Sequence, residues 1–382
     1  MKAEFSDRLK KLPPYLFVEI DKAKRRAVSE GRDIIDLGIG DPDLATPDFI
    51  IEAMNTAMRD KENHHYALDA GLPQLRQAIA KWYKKRFGVV LNPDKEIYPL
   101  IGSKEGIAHL PLGLINPGDK VLIPDPCYPP YRSGSIFAGA GVITMPLLED
   151  NGFLPDLKAI KDAKLMFLNY PNNPTASCAG RGYYKDVVKI ASKKGIIIAS
   201  DLAYSELYYE EKPVSMLEIE GAKEMTIEFH SLSKTFNMTG WRIGWACGNE
   251  SAIAALAKVK TNIDSGVFQA IQIAAVAALE SDESSADGMR STYKQRRDVL
   301  IDGLNNAGWP IEKPKATFYM WANLPKKYKS SIEMAKALLD VADIVATPGV
   351  GFGQCGEGYI RMAFTRPKDR LSEAVNRIKK VL

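Results

Sequence analysis

The sequence predicts an α/β protein, with a large domain built on a mostly parallel central sheet between helices and a smaller α+β domain beside it. Three observations lead there. Between about residues 97 and 247, short apolar runs alternate with stretches of helical spacing, and strands that alternate with helices build a parallel sheet covered on both faces. After Glu250 the character changes to long helices rich in Ala, Leu, Gln and Arg, then short strands and an amphipathic end. A length of 382 residues suits two domains at about 100–200 residues each. The expected division is a large domain at 46–282 and a small one made of 1–45 with 283–382.

The expected buried strands are 121–123, 142–145, 164–169, 195–200, 225–230 and 243–246, with helical segments such as 157–163 and 183–192 between them. Residues 251–280 and 284–307 read as long helices. Short strands around 318–321 and 359–364 and a closing helix at 370–382 complete the small domain.

Bulk composition removes several function classes. The net charge is +4 from 51 basic and 47 acidic residues, interspersed, so no basic tract points to nucleic acid. Lys10-Lys11 and the run from Lys22 to Arg26 are flanked by acids and read as a solvated helix face. No apolar run approaches the ~18–20 residues of a bilayer span, and the first residues lack the apolar core of a secretion signal, so a cytoplasmic protein is expected. The four cysteines are scattered without a CxxC pair and read as free thiols. The histidines show no metal-binding spacing, so no metal is expected.

Ligands of open α/β sheets bind beyond the carboxyl ends of the strands, and the chemically apt residues gather at those ends. After 225–230 comes Ser231-Leu232-Ser233-Lys234-Thr235, then Gly240-Trp241-Arg242. An amine among hydroxyls, with a guanidinium eight residues on, can hold an aldehyde cofactor that bears a phosphate. Taken alone, Lys234 is equally well an exposed loop lysine. Asp201, however, closes the run GIIIAS and delivers a carboxylate suited to a protonated pyridine nitrogen. Tyr204 follows three residues later with a phenol for the ring's 3′ oxygen. The turn Pro171-Asn172-Asn173-Pro174 fixes Asn173 as a second donor to that oxygen. In Gly102-Ser103-Lys104-Glu105-Gly106 a loop enters a helix, whose N-terminal amides with the Ser103 hydroxyl suit an anion. Asp125-Pro126-Cys127-Tyr128-Pro129 presents Tyr128 to stack on a flat ring. Each of these motifs is commonplace singly; their arrival at one sheet edge is not.

Together, GSKEG, DPCYPPY, NYPNNPT, SDLAY and SLSKTFNMTGWRIGW resemble the class I aminotransferases of the pyridoxal-5′-phosphate (PLP) fold type I, in order and over almost the whole chain. The resemblance implies that Lys234 carries the cofactor and acts as general acid and base, that Asp201 pairs with the pyridine nitrogen, and that Asn173 and Tyr204 contact the 3′ oxygen. It implies that Tyr128 stacks and that Gly102, Ser103, Lys104, Ser231, Ser233 and Arg242 surround the phosphate. Tyr66 matches a tyrosine sent across a homodimer interface to the neighbouring subunit's phosphate. Arg361 matches the clamp on the substrate's α-carboxylate, with Gly40 as a backbone contact. The N-terminal run from Phe5 to Phe17, Ile39-Gly40-Asp41 and residues 102–109 are most similar to LL-diaminopimelate aminotransferases, in which the residues matching Tyr15 and Lys104 bind substrate. The implied reaction moves an amino group from an L-amino acid to a 2-oxo acid in ping-pong fashion. Thr175-Ala176 stands where the family has Thr-Gly, and the residues around Tyr66 also depart from the pattern.

Other readings share part of this pattern. A broader aspartate, alanine or aromatic aminotransferase, or a PLP-dependent C–S lyase or decarboxylase, would keep the cofactor residues. A regulator on the same fold would add a DNA-binding module, for which the 45 residues before the large domain leave no room. A plain scaffold has no need of the lysine, aspartate and arginine together. Gly349 to Gly358 reads as a mobile loop before a strand rather than a phosphate cradle.

Overall fold

The computed structural model describes residues 4–13, 16–67, 70–282 and 284–382. Tyr15 lies outside them. Twelve short strands are described: β1 (Ile35–Asp36), β2 (Ile97–Leu100), β3 (Lys120–Asp125), β4 (Gly141–Pro146), β5 (Leu165–Asn169), β6 (Ile197–Asp201), β7 (Thr226–Ser231), β8 (Gly244–Gly248), β9 (Tyr319–Asn323), β10 (Ile344–Val345), β11 (Thr347–Pro348) and β12 (Tyr359–Ala363). Seven form the central sheet in the order β2-β8-β7-β6-β5-β3-β4. Pairing from β4 through β3, β5 and β6 to β7 is parallel, whereas β8 runs antiparallel to both β7 and β2. Strands β5, β7 and β8 are buried at every position, as strands covered on both faces must be.

The expected α/β architecture is therefore present, with four local differences. Strand β2 was not anticipated because Ile97-Tyr98-Pro99-Leu100 contains a proline; it sits at the sheet edge, where a missing N–H is tolerated. The helix expected over 251–280 is two, Glu250–Lys260 and Gln269–Glu280, because Asn262, Asp264, Ser265 and Gly266 favour turn over helix. Segment 157–163 forms only one 3-10 turn, Leu157–Ala159. There the Asp156 side chain accepts the amide of Lys158, and Ile160 leaves extended. The helix Ser331–Ala342 adds to the expected elements, and its start is written in sequence, since Ser330 caps the amide of Glu333.

Outside the central sheet, β11, β12 and β9 form an antiparallel sheet, and β1 pairs in parallel with β10. One apolar cluster joins Ile35 and Leu37 to Phe318, Ile344, Ile360 and Leu371, and also takes in Tyr204 and Leu207. The segments on either side of Tyr204 are thus packed against the C-terminal part of the chain. The four cysteines are unpaired. Among the described residues, no helix is long and apolar enough to cross a membrane.

Candidate active site

A cavity of about 310 Å³ opens at the carboxyl edge of the central sheet. It gathers twelve of the residues singled out from sequence, Gly40, Ser103, Lys104, Tyr128, Asn173, Asp201, Tyr204, Ser231, Ser233, Lys234, Arg242 and Arg361. Gly102 does not line it but packs against Arg242, which does. Tyr66 is not brought into it; that side chain is 92% exposed.

Strand register explains the floor. Asn169 and Asp201 are the last residues of β5 and β6 and lie side by side. The Asn169 amide donates to the Asp201 carbonyl at 2.8 Å, and its Oδ1 accepts the backbone N–H of Asn173 at 2.8 Å. One asparagine thereby ties two strand ends to the turn that carries Asn173. Its spacing did not single it out. The Asp201 carboxylate is buried, accepts the Tyr131 phenol at 2.7 Å and the Ala203 amide at 3.3 Å, and has no Lys or Arg partner among the described residues. Burial outweighs those two bonds and pushes its pKa up to about 6.

Ser231 ends β7 and caps the short helix Leu232–Thr235, its hydroxyl accepting the amide of Ser233 at 3.2 Å. That cap turns Lys234 into the cavity, where Nζ donates to the carbonyl of Gly40 at 2.9 Å. Burial, with help from the nearby Arg361 and Arg242 charges, lowers the Lys234 pKa to about 8 against the opposing pull of Asp41. An amine so placed is neutral for much of its time near pH 8 and can act as nucleophile and base.

Opposite the sheet, Arg361 projects from β12 and is almost fully buried. It donates to Asn173 Oδ1 and to the carbonyl of Gly38, both at 2.7 Å. Its guanidinium lies 4.2 Å from the ring centre of Tyr319 and 4.6 Å from that of Phe352. Each terminal nitrogen carries two N–H groups, so a carboxylate can be met without breaking these bonds. Phe352 belongs to the glycine-rich segment expected to be a mobile loop. That segment forms two 3-10 turns, Gly349–Phe352 and Gln354–Gly356. They are anchored by the Cys355 amide on Asp125 and the Cys127 amide on the Phe352 carbonyl.

The fourth wall suits an anion. Ser103 opens the helix Ser103–Leu114, which puts free amides at the cavity. Glu105, one turn in, braces this end by accepting the Ile101 amide at 3.1 Å and the Lys260 ammonium at 2.9 Å. Arg242 takes a left-handed backbone (φ 55°) and donates to the Thr239 carbonyl. Its guanidinium passes so close to Gly102 that a Cβ there would fall 2.3 Å from a guanidinium nitrogen. The Ser233 hydroxyl is buried with no hydrogen-bond partner among the described residues, which is costly unless a ligand supplies one. These features fit PLP: a buried carboxylate without a cation for the pyridine nitrogen, an orphaned hydroxyl and a guanidinium for the phosphate, and an amine for the aldehyde.

Comparison with known proteins agrees. The model of "Aminotransferase class I and II" matches residues 32–378, and the chain belongs to that family of PLP-dependent enzymes; it is an aminotransferase. Proteins named LL-diaminopimelate aminotransferase from Nitratidesulfovibrio vulgaris and Aquifex aeolicus are each 52% identical to it, over 98% of both chains. Among solved structures, substrate-bound BacF from Bacillus subtilis superposes with a TM-score of 0.96 at 40% identity, covering 100% of this chain and 98% of that one. A mutant Thermus thermophilus aspartate aminotransferase superposes at 0.94 with 29% identity, covering all of both chains.

Proposed function

We propose that this protein moves the amino group of LL-diaminopimelate to 2-oxoglutarate in lysine biosynthesis, using PLP held on Lys234. The observation that carries the reading is the 52% identity to LL-diaminopimelate aminotransferases over 98% of both chains, against 40% for BacF and 29% for the aspartate aminotransferase. When bound, PLP supplies a ring that draws electrons away from the substrate's Cα.

Lys234, whose amine would hold the cofactor's aldehyde carbon until the donor's amino group takes its place, would then act as a weakly basic amine that carries the proton from Cα to that carbon. Asp201 keeps the ring nitrogen protonated. Asn173 and Tyr204 would serve the 3′ oxygen, and Tyr128 would stack on the ring. Ser103, Lys104, Ser231, Ser233 and Arg242, with the backbone at Gly102, hold the phosphate. Arg361 and the Gly40 backbone take the α-carboxylate, while Tyr15 and Lys104 meet the distal end of the donor. The working form is a cytoplasmic homodimer in which Tyr66 reaches the neighbouring subunit's phosphate, and 46–282 and 1–45 with 283–382 are its large and small domains.

A donor panel tests the reading. With 2-oxoglutarate as acceptor, kcat/KM for LL-diaminopimelate should exceed that for aspartate, alanine and tyrosine by at least tenfold, because each buried polar group left unpaired costs about 1–3 kcal/mol. If any of the three matches LL-diaminopimelate, the specific reading fails and the broader aminotransferase stands.

A further inference from the structure

Tyr319, in β9, is where three parts of the site meet, and nothing in its local sequence announces it. Its hydroxyl oxygen lies 3.1 Å from that of Tyr204. Its ring bears the Arg361 guanidinium at 4.2 Å. Gly40 is pressed against it, since a Cβ on that glycine would fall 1.8 Å from the Tyr319 hydroxyl. The whole side chain is 3% exposed.

Two phenols joined by one hydrogen bond have one proton left over, and its location matters. A cation on the Tyr319 ring withdraws charge from it and makes its O–H the better donor. With Tyr319 donating, the remaining proton belongs to Tyr204, which lines the cavity. Burial, with the neighbouring Tyr319 phenol, raises the Tyr204 pKa well above its ordinary value against the pull of the Arg361 charge, so that proton is kept. Asn173 is oriented in a parallel way: Arg361 occupies its Oδ1, which leaves the amide N–H groups as the end available to a ligand.

We propose that Tyr319 is a positioning residue whose hydroxyl donates to Tyr204 and so directs the Tyr204 proton into the cavity, onto the 3′ oxygen of PLP. This rests on the cofactor reading above. Tyr319 works through Tyr204, whereas its ring independently supports the arginine that receives substrate.

The test uses holoenzyme and the pH titration of its visible cofactor absorbance. A donor on the 3′ oxygen stabilises that oxygen's ionised form, so losing the donor's alignment raises the midpoint. Tyr319→Phe keeps the ring under Arg361 and should raise the midpoint by about half to one pH unit, with KM for the amino donor within about threefold of wild type. Tyr204→Phe should raise it at least as far, and the double variant should match Tyr204→Phe alone, because the two act in series. A wild-type midpoint in Tyr319→Phe, or a shift that adds in full to that of Tyr204→Phe, overturns the proposal. A wild-type protein that develops no visible band with PLP is a separate result, and it overturns the cofactor reading together with this one.

Discussion

Tyr131, in the helix Pro130–Phe137, donates its phenolic proton to Oδ2 of Asp201 at 2.7 Å, out of reach of solvent. The ring that makes this bond is itself stacked on Phe167, 4.9 Å away and 13° from parallel. The carboxylate is thus aimed by a side chain that cannot easily turn.

Removing that donor leaves the Ala203 amide as the carboxylate's remaining hydrogen bond. A hydrogen bond to a charged group contributes about 1.5–3 kcal/mol, so Tyr131→Phe should weaken PLP binding at pH 7.5 by roughly ten- to a hundredfold. Equilibrium dialysis against PLP measures this. An affinity within twofold of wild type would mean that Tyr131 merely packs.

The buried charge also predicts how the cofactor-free chain responds to pH. Asp201 has a pKa of about 6 when folded, against an ordinary 3.8, so the folded chain holds that proton longer than the unfolded one does. Stability credited to the protonated group is complete below about pH 4 and lost as pH rises through about 6. Asp201→Asn removes the penalty. Without PLP it should be more stable than wild type by about 2–3 kcal/mol at pH 7.5 and no more stable near pH 4. Urea unfolding at the two pH values decides; a variant destabilised at pH 7.5 would refute the argument. With saturating PLP the order should reverse.

Lys234 titrates in the opposite sense. Its amine is neutral above about pH 8, and the neutral form is the nucleophile. The rate at which cofactor-free enzyme develops visible absorbance on adding PLP should rise about tenfold per unit below pH 8 and level off above it. Lys234→Ala should show neither the absorbance nor transamination at any pH. A variant that kept full turnover would remove Lys234 from the site.

Local spacing made the polar lining legible because β5, β6 and β7 each end in a motif whose position relative to the strand is set by a few residues. Lys234, Asp201 and Asn173 could therefore be named from short stretches of chain. Tyr319 could not: it reaches Tyr204 across 115 positions, through a strand whose own neighbours advertise only a buried sheet. Tyr131 was hidden differently. It lies three residues beyond Tyr128 in the same motif, and only the helix start at Pro130 decides which of the two rings faces the carboxylate. The break at 261–268 is hard to see in sequence because helix-favouring residues on both sides outweigh a short turn.

Ala176 holds a backbone conformation that suits glycine better than a residue with a Cβ. Its φ is 59°, in the left-handed region, and its amide is fixed by the Asn172 carbonyl at 3.0 Å. A left-handed residue with a Cβ costs about 1–2 kcal/mol, part of which glycine returns through its freer unfolded chain. Ala176→Gly should therefore stabilise the fold by up to about 1 kcal/mol, read as a rise in the urea midpoint at unchanged m-value. A loss of 1 kcal/mol or more would show that the methyl packs well enough to justify its backbone.

Tyr66 gives the last prediction. Its side chain is 92% exposed and absent from the cavity of its own chain. A phosphate ligand in that position makes sense only if the hydroxyl reaches a neighbouring subunit. Lys234→Ala destroys every site to which it contributes a lysine; Tyr66→Phe weakens every site to which it contributes a phenol. When the two variants are mixed and allowed to exchange, about half the dimers are hybrids, each with one site built from the intact Lys234 of one chain and the intact Tyr66 of the other. About a quarter of all sites are then whole. Activity should rise to about a quarter of wild type, above the mean of the two unmixed variants. If it stays at that mean although subunits have exchanged, or if sedimentation finds a fully active monomer, Tyr66 does not serve a shared site.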